Sequence, residues 1–470
     1  MTTDILRIEA LSISFQQYQT FFELGAVSPI KKMDLTLKQG EITVIVGQSG
    51  SGKSLVAHAI MGILPTNAKV EGCVLYQGLP LDDARRKMLR RGEIVIIPQS
   101  VNYLDPLMTV GQQIKSLVYE GDPETTMQEA LARYDLAPDV AALYPFQLSG
   151  GMARRVLISC AMVQKPSLII ADEPTPGLDT DLVEETINHL LEMKRQGKSL
   201  LVITHDLHVA TRIADRIIFF SDGCTICEAE RRQFTDNPNF SGLHPYAQKL
   251  FAALPENRFI SLAAQNGKET RHTLVARNVS FSYDGKKQVL ENIQFSVSSG
   301  EIVGLTGKSG RGKTTLSRLL AGYLSPTAGD ILLDNAPLYI GKRRYNPVQL
   351  IMQHPEKAVD PKWHMDEILA EPGVVEEPVK EALSLKPEWM KRFPQELSGG
   401  ELQRFSIARV LNRHTRFLIA DESSTMFDAA TQAEIWKVIV EYIRQNNIGL
   451  ILISHEPALL DRLCDRIVTY

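Results

Sequence analysis

Two tandem α/β domains, each built on a mostly parallel sheet, are the fold class this 470-residue sequence predicts. Three observations carry it. The chain contains its own duplicate: GQSGSGKS at 47–54 recurs as GKSGRGKT at 307–314, LSGGM at 148–152 as LSGGE at 397–401, and ITH ending at His205 as ISH ending at His455. Within each copy, strand-sized apolar runs alternate with longer amphipathic stretches, the pattern of a parallel sheet covered by helices. Each glycine-rich loop stands between a strand-like and a helix-like run. A period of about 250 residues is far too long for a solenoid and means duplication of whole domains.

The elements follow in order. EITVIV before Gly47 and EIVGLT before Gly307 are strands feeding the glycine loops. LIIAD (168–172) and FLIAD (417–421) are buried strands with an acid at the C-terminal end, where ligands of open α/β sheets bind. SLLVITH and GLILISH are further strands, each ending in histidine. A stretch rich in Pro, Asn and Gly separates the copies, which places the first domain at 1–255, a linker at 256–271 and the second domain at 272–470.

Composition narrows the function. The hydrophobic fraction of 44% and charged fraction of 23% are those of a globular protein with a core in each half. A net charge of −4 gives no electrostatic footprint for nucleic acid. The apolar runs fall short of the roughly 18 to 20 residues a membrane span needs. The opening MTTDILRIEA carries Asp4 and no basic-then-apolar leader, so the expected compartment is the cytosol. Cys73, Cys160, Cys224, Cys227 and Cys464 are scattered and odd in number, as reduced thiols are. Cys224 and Cys227 have ligand spacing, but no second pair lies near and the stretch is strand-like, which favours plain structural thiols.

Both loops match G-x-x-x-x-G-K-[ST], in which backbone N–H groups wrap phosphates. Gly47, Ser49, Gly50 and Gly52, and Gly307, Ser309, Gly310 and Gly312, form these cradles. Lys53 and Lys313 reach the outer phosphates, and the hydroxyls of Ser54 and Thr314 help hold Mg²⁺. Asp172 and Asp421, at strand ends, are placed to hold the metal through water, and Glu173 and Glu422 to act on an attacking water as general bases. After Asp-Glu the second copy reads SSTMFD where the first reads PTPGLD, yet every residue with a direct chemical role is present. Two hydrolysis-competent sites are expected.

With a glutamine after an apolar strand in each copy (Gln99 in IIPQ, Gln353 in LIMQ), the motif order closely resembles the ATP-binding subunits of ABC transporters. The resemblance covers essentially the whole chain. It implies ATP and Mg²⁺ as cofactors, with Gln99 and Gln353 near the metal, and in each domain a helical subdomain carrying the LSGG signature. It also implies head-to-tail pairing of the domains, in cis within one chain. One site then combines Gly47 to Ser54, Gln99, Asp172, Glu173 and His205 with Ser398, Gly399 and Gly400. The other combines Gly307 to Thr314, Gln353, Asp421, Glu422 and His455 with Ser149, Gly150 and Gly151. Ser-Gly-Gly opening a helix offers N–H groups and a helix dipole to the terminal phosphate. The resemblance further puts His205 and His455 on that phosphate and Asp179 and Asp428 in loops crossing the dimer. Phe15 and Tyr283, aligned before the loops, are the candidates to stack on adenine.

PQSVNYLDPLMTVGQQI (98–114), MQHPEKAVDPKWHMDEILAEP (352–372) and the HPY segment of the linker resemble the peptide, nickel and metallophore importer subfamily. The implied partners are two transmembrane permease subunits and, through them, an extracytoplasmic substrate-binding protein, with no nucleic acid. The implied location is peripheral, on the cytoplasmic face of the membrane. The cysteines of an iron-sulfur tail are absent, so no cluster is expected, and the second copy reaches DRIVTY without the hairpin of the first. Soluble paired ABC ATPases acting on ribosomes or nucleic acid, and fused sugar importer ATPases, are the alternatives. The modest linker, without a charged helix, coiled coil or zinc insertion, speaks against the former; the intact second set of motifs speaks against the latter.

Overall fold

The structure is a computed structural model that describes residues 3–18, 24–47, 50–175, 180–235, 240–257, 259, 271–285, 287–307, 310–338, 345–371, 373, 375–424 and 427–470. Two compact units make up the chain, Met1–Lys249 and Leu250–Tyr470. Most of the expected linker, 256–271, lies outside the described residues.

In the first unit five strands run parallel in the order Ile94–Ile97, Leu168–Asp172, Ser199–Thr204, Ile42–Gly47, Arg216–Ser221. The last four are buried along their whole length, so they read as nearly unbroken Val, Ile, Leu and Phe rather than as alternation. Beyond them Cys224–Glu230 turns back antiparallel and touches, through the single pair Cys224–Lys32, an antiparallel sheet. That sheet consists of Leu24–Lys38, Asp4–Tyr18, Ala68–Tyr76 and Leu79–Pro80. Half the ten strands are therefore antiparallel, a layer that the motif reading passed over. Its period is broken: Leu6 and Ile8 point inward, then Leu11 and Ile13, because Ala10 takes φ of 46° and the pairing slips between Ile8 and Leu11. A bulge of this kind resets which face is buried.

Helix Lys53–Met61 lies in the core between the two kinds of sheet, where Val56 and Ile60 meet Leu6, Ile8, Ile45, Ile170 and Phe220. The helices Val110–Ser116, Pro123–Arg133 and Gly150–Met162 have a core of their own, built from Val110, Ile114, Met127, Leu131, Val156 and Leu157. This is the expected helical subdomain, and it ends in the signature helix.

The second unit repeats the parallel order: Val348–Ile351, Phe417–Asp421, Gly449–Ile453, Ile302–Thr306, Arg466–Thr469. Its antiparallel sheet is separate: Leu290–Ser298, Thr273–Phe281, Ala328–Leu333, Ala336–Pro337. Among the described residues no strand takes the place of Cys224–Glu230, and Arg466–Thr469 is an edge. Helix Ala429–Gln445 packs Ile435, Trp436, Ile439 and Ile443 into a core shared with Phe405 of helix Gly399–Val410. No helix among the described residues is long and apolar enough to cross a membrane.

Candidate functional site

Each glycine loop leaves a buried strand and enters a helix through a left-handed glycine, Gly52 (φ 90°) or Gly312 (φ 87°). Within the loops Gly50 and Gly310 also hold φ at 77°, while Ser49 and Ser309 lie outside the described residues. The curl turns the first helical residue inward. Lys53 is buried and its Nζ donates to the Gly47 carbonyl at 2.8 Å; Lys313 does the same to Gly307 at 2.7 Å. An ammonium group turned back onto its own glycine loop is placed to meet a phosphate that the loop's N–H groups would hold.

The carboxylates reach this loop from a strand two places away in the sheet. Parallel register sets Asp172 opposite Ile203 and Asp421 opposite Ile453, so the next residues on each strand meet. Glu173 and Glu422 then take left-handed φ, 46° and 48°, while their N–H groups still donate to Ile203 and Ile453. His205 Nδ1 lies 3.0 and 2.9 Å from the two carboxylate oxygens of Glu173. His455 instead uses Nε2, 2.9 Å from one oxygen of Glu422, and the other accepts from Gln353 Nε2 at 2.6 Å. Gln353 is thus brought to the site, whereas the side chain of Gln99 stands exposed.

At the foot of each loop a hydroxyl meets the strand-end aspartate. Ser54 Oγ donates to Asp172 Oδ1 at 2.9 Å. Asp421 accepts from Thr314 and, at 3.1 Å, from Ser317. Hydroxyl and carboxylate oxygens of this kind are what Mg²⁺ takes alongside phosphate and water oxygens. No group of three or more His, Cys, Asp or Glu suited to a metal occurs among the described residues, so phosphate and water would have to complete the set.

Burial pushes the Asp172 carboxyl above the usual aspartate range; the Ser54 hydroxyl opposes this and the charge of Glu173 adds to it. Asp421 is raised for the same leading reason, against Thr314 and Ser317. For His205 burial acts downward, but the hydrogen bond and charge of Glu173 win and the imidazole is raised. A raised aspartate supports folding below its ordinary pKa, and that support is lost as pH climbs through the raised value. Asp172→Asn should therefore melt higher than the parent chain at neutral pH when nucleotide is absent, and lose the gain that Mg²⁺ and ATP give. Melting curves from acid to neutral pH test this; an Asn variant melting lower throughout would mean the Ser54 bond outweighs the burial.

Ser149 and Ser398 are N-caps of the helices Gly150–Met162 and Gly399–Val410, each accepting from the backbone three residues on. Glu401 closes a capping box on Ser398; Met152 has no such group. Gly150 and Gly151, and Gly399 and Gly400, open the first turns, and a side chain at Gly150 would meet nothing within 4 Å. Tyr283 is exposed, edge-on to Phe281 at 4.8 Å, with its hydroxyl 3.2 Å from Thr315 Oγ1 beside the second loop. Phe15 is half-buried on its strand, packed against the core. Asp428 is the buried N-cap of Ala429–Gln445, accepting from Ala430 and Thr431, and Asp179 lies outside the described residues. Cys227 pairs opposite Phe219 on its strand, and burial pushes its thiol up to about 11.

Three residues escaped the motif reading. Ser317 is one turn beyond Thr314 and could have been found by helical spacing. Arg154 and Gln403 stand at equivalent places in the two signature helices, and each reaches the segment of its unit's glutamine. Their partners are distant in sequence and no local pattern announces them.

The sequence profile of the ABC transporter family matches residues 30–176 and 290–425, once in each unit. The glutathione import ATP-binding protein GsiA of Salmonella typhimurium is 30% identical, over 99% of this chain and 84% of its own. The protein of the same name from Pectobacterium atrosepticum is 29% identical over 98% and 84%. Among solved structures an RNase-L inhibitor covers 98% of this chain and 87% of its own with a TM-score of 0.66 and 21% identity, a likeness of fold. Two profile matches in register with two loop, acid-pair and histidine clusters leave one conclusion: the chain belongs to the ABC transporter family and carries two of its ATP-binding, ATP-hydrolysing domains in tandem.

Proposed function

We propose that this chain is the ATPase subunit of an importer for peptides, nickel or a metal-chelating metallophore, acting at the cytoplasmic face of the membrane on two separate permeases fed by a binding protein. The observation that carries the reading is similarity along 99% of the chain to a protein named for glutathione import, glutathione being a tripeptide. Permeases would supply the membrane spans.

In this reading Lys53 and Lys313 offset the charge of the outer phosphates, and Ser54 with Asp172, and Thr314 with Asp421, hold Mg²⁺. The metal, when bound, adds charge compensation on the phosphate oxygens. Glu173 and Glu422 accept the proton of the attacking water, His205 and His455 hold those carboxylates in place, and Gln353 orients Glu422. Phe15 and Tyr283 serve the base, Tyr283 being the better exposed. Ser149 to Gly151 and Ser398 to Gly400 complete the opposite sites when the domains pair head to tail, in cis. Domains 1–255 and 272–470 remain the working division of the chain, joined by the linker 256–271.

Affinity capture of the tagged chain from gently solubilised native membranes, with partners identified by mass spectrometry, tests this. Two multi-spanning permeases are expected. Recovery with ribosomal or DNA-repair proteins in a membrane-free fraction would overturn the transport reading and leave the ATPase.

A further inference from the structure

Among the buried positions at which the two signature helices differ, one exchanges a charged side chain for a neutral one. In the second unit a neutral side chain stands there: Gln403 is fully buried, and its Nε2 donates to Met352 O at 3.3 Å and Ser423 O at 3.0 Å. It ties the residue before Gln353 to the residue after Glu422. In the first unit the position is Arg154, also buried, whose Nη1 donates to Pro98 O at 2.8 Å and Gln99 O at 3.4 Å. Its Nε and Nη2 find no acceptor among the described residues.

A guanidinium buried with two nitrogens unpaired is costly unless a negative charge compensates it. Burial pulls its pKa down to about 10, and the carboxylate of Asp172 is what pulls it back. The cation therefore stands in the field of the aspartate that is read as holding Mg²⁺. It also bonds the backbone of Gln99, the other group expected near the metal. At the second site the same place is filled without charge.

We propose that Arg154 is a positioning residue whose fixed positive charge, bonded to the backbone of Pro98 and Gln99, makes the first site take Mg²⁺ less readily than the second. This rests on the reading of Asp172 and Asp421 as the metal-holding carboxylates. A unit charge repels a divalent ion strongly at the effective dielectric of a protein site, and an effect of about tenfold in affinity is expected. The two sites then differ in the order in which they load with Mg²⁺ and nucleotide, although their motifs match.

The test uses the full chain and a fluorescent ATP analogue titrated with Mg²⁺, a binding readout that needs no turnover. Lys313→Ala confines the reading to the first site and Lys53→Ala to the second. On the first background, Arg154→Gln should lower the half-saturating Mg²⁺ about tenfold and Arg154→Lys should leave it near the parent value. On the second, Gln403→Arg should raise it by a similar factor. Melting curves establish that each variant is folded, and Arg154→Gln installs only the residue the second unit already uses. Equal Mg²⁺ dependence for Arg154→Gln and its parent would overturn the proposal. So would Arg154→Lys behaving like Arg154→Gln, because geometry rather than charge would then be the cause. Binding that ignores Mg²⁺ at both sites would overturn the metal reading itself, a result distinct from either.

Discussion

Glu173→Gln and Glu422→Gln are each expected to lower hydrolysis at their own site by about 10² to 10⁴-fold, with nucleotide binding retained. The substitution keeps the shape of the side chain and removes the proton acceptor. Each glutamate is held as a base should be, its oxygens engaged by a histidine and, for Glu422, also by Gln353. Single-turnover assays on chains carrying one change at a time, with the double variant as the floor, separate the sites. The more informative of the two is Glu422→Gln, because its loop reads SSTMFD where the first has PTPGLD. The structure accounts for the departures at Ser423, Ser424 and Phe427, while Thr425 and Met426 lie outside the described residues. The Ser423 carbonyl accepts from Gln403, Ser424 Oγ accepts from Gln432, and Phe427 is buried in the unit's core. Ser423, Ser424 and Phe427 are thus held from within their own unit, while Asp421, Glu422 and His455 retain their bonds. If Glu422→Gln were kinetically indistinguishable from the parent chain in single-turnover hydrolysis, the second site would be a structural relic.

Gly47→Ala is expected to cost about 3 kcal/mol or more, for a reason unrelated to phosphate. An added β-carbon would stand 2.1 Å from the carbonyl oxygen of Phe220, on the neighbouring strand of the same sheet. Backbone cannot step aside there without breaking the pairing of Ile42–Gly47 with Arg216–Ser221. Gly307 repeats the problem against the Tyr470 carbonyl at 2.4 Å, with φ of 151° added. Gly310→Ala is the control: nothing lies within 4 Å of its β-carbon, and only its φ of 77° resists, a cost of about 1 to 2 kcal/mol. Urea unfolding of the three variants ranks them; Gly47→Ala unfolding alongside the parent chain would show that the strands can part at no cost.

The sequence by itself determined the duplication, the fold class and nearly all of the chemical groups. Those features are local or repeated: a glycine loop, an acid pair and a histidine each sit at the end of a short apolar run, and the length and flanking turn residues of such runs mark them as buried strands. Tertiary structure decided what joins them. Register between Leu168–Asp172 and Ser199–Thr204 is what brings Glu173 to His205, and the two are read separately along the chain. Strand Asp4–Tyr18 went unread because Ala10, at positive φ, breaks the period-two signal on which a strand is recognised. Gln353 on Glu422 and Arg154 against Pro98 were equally invisible, since each depends on a partner far away in sequence. A motif names the groups because chemistry fixes their type and spacing; only packing fixes which of them meet, because the contact belongs to two segments and is written in neither.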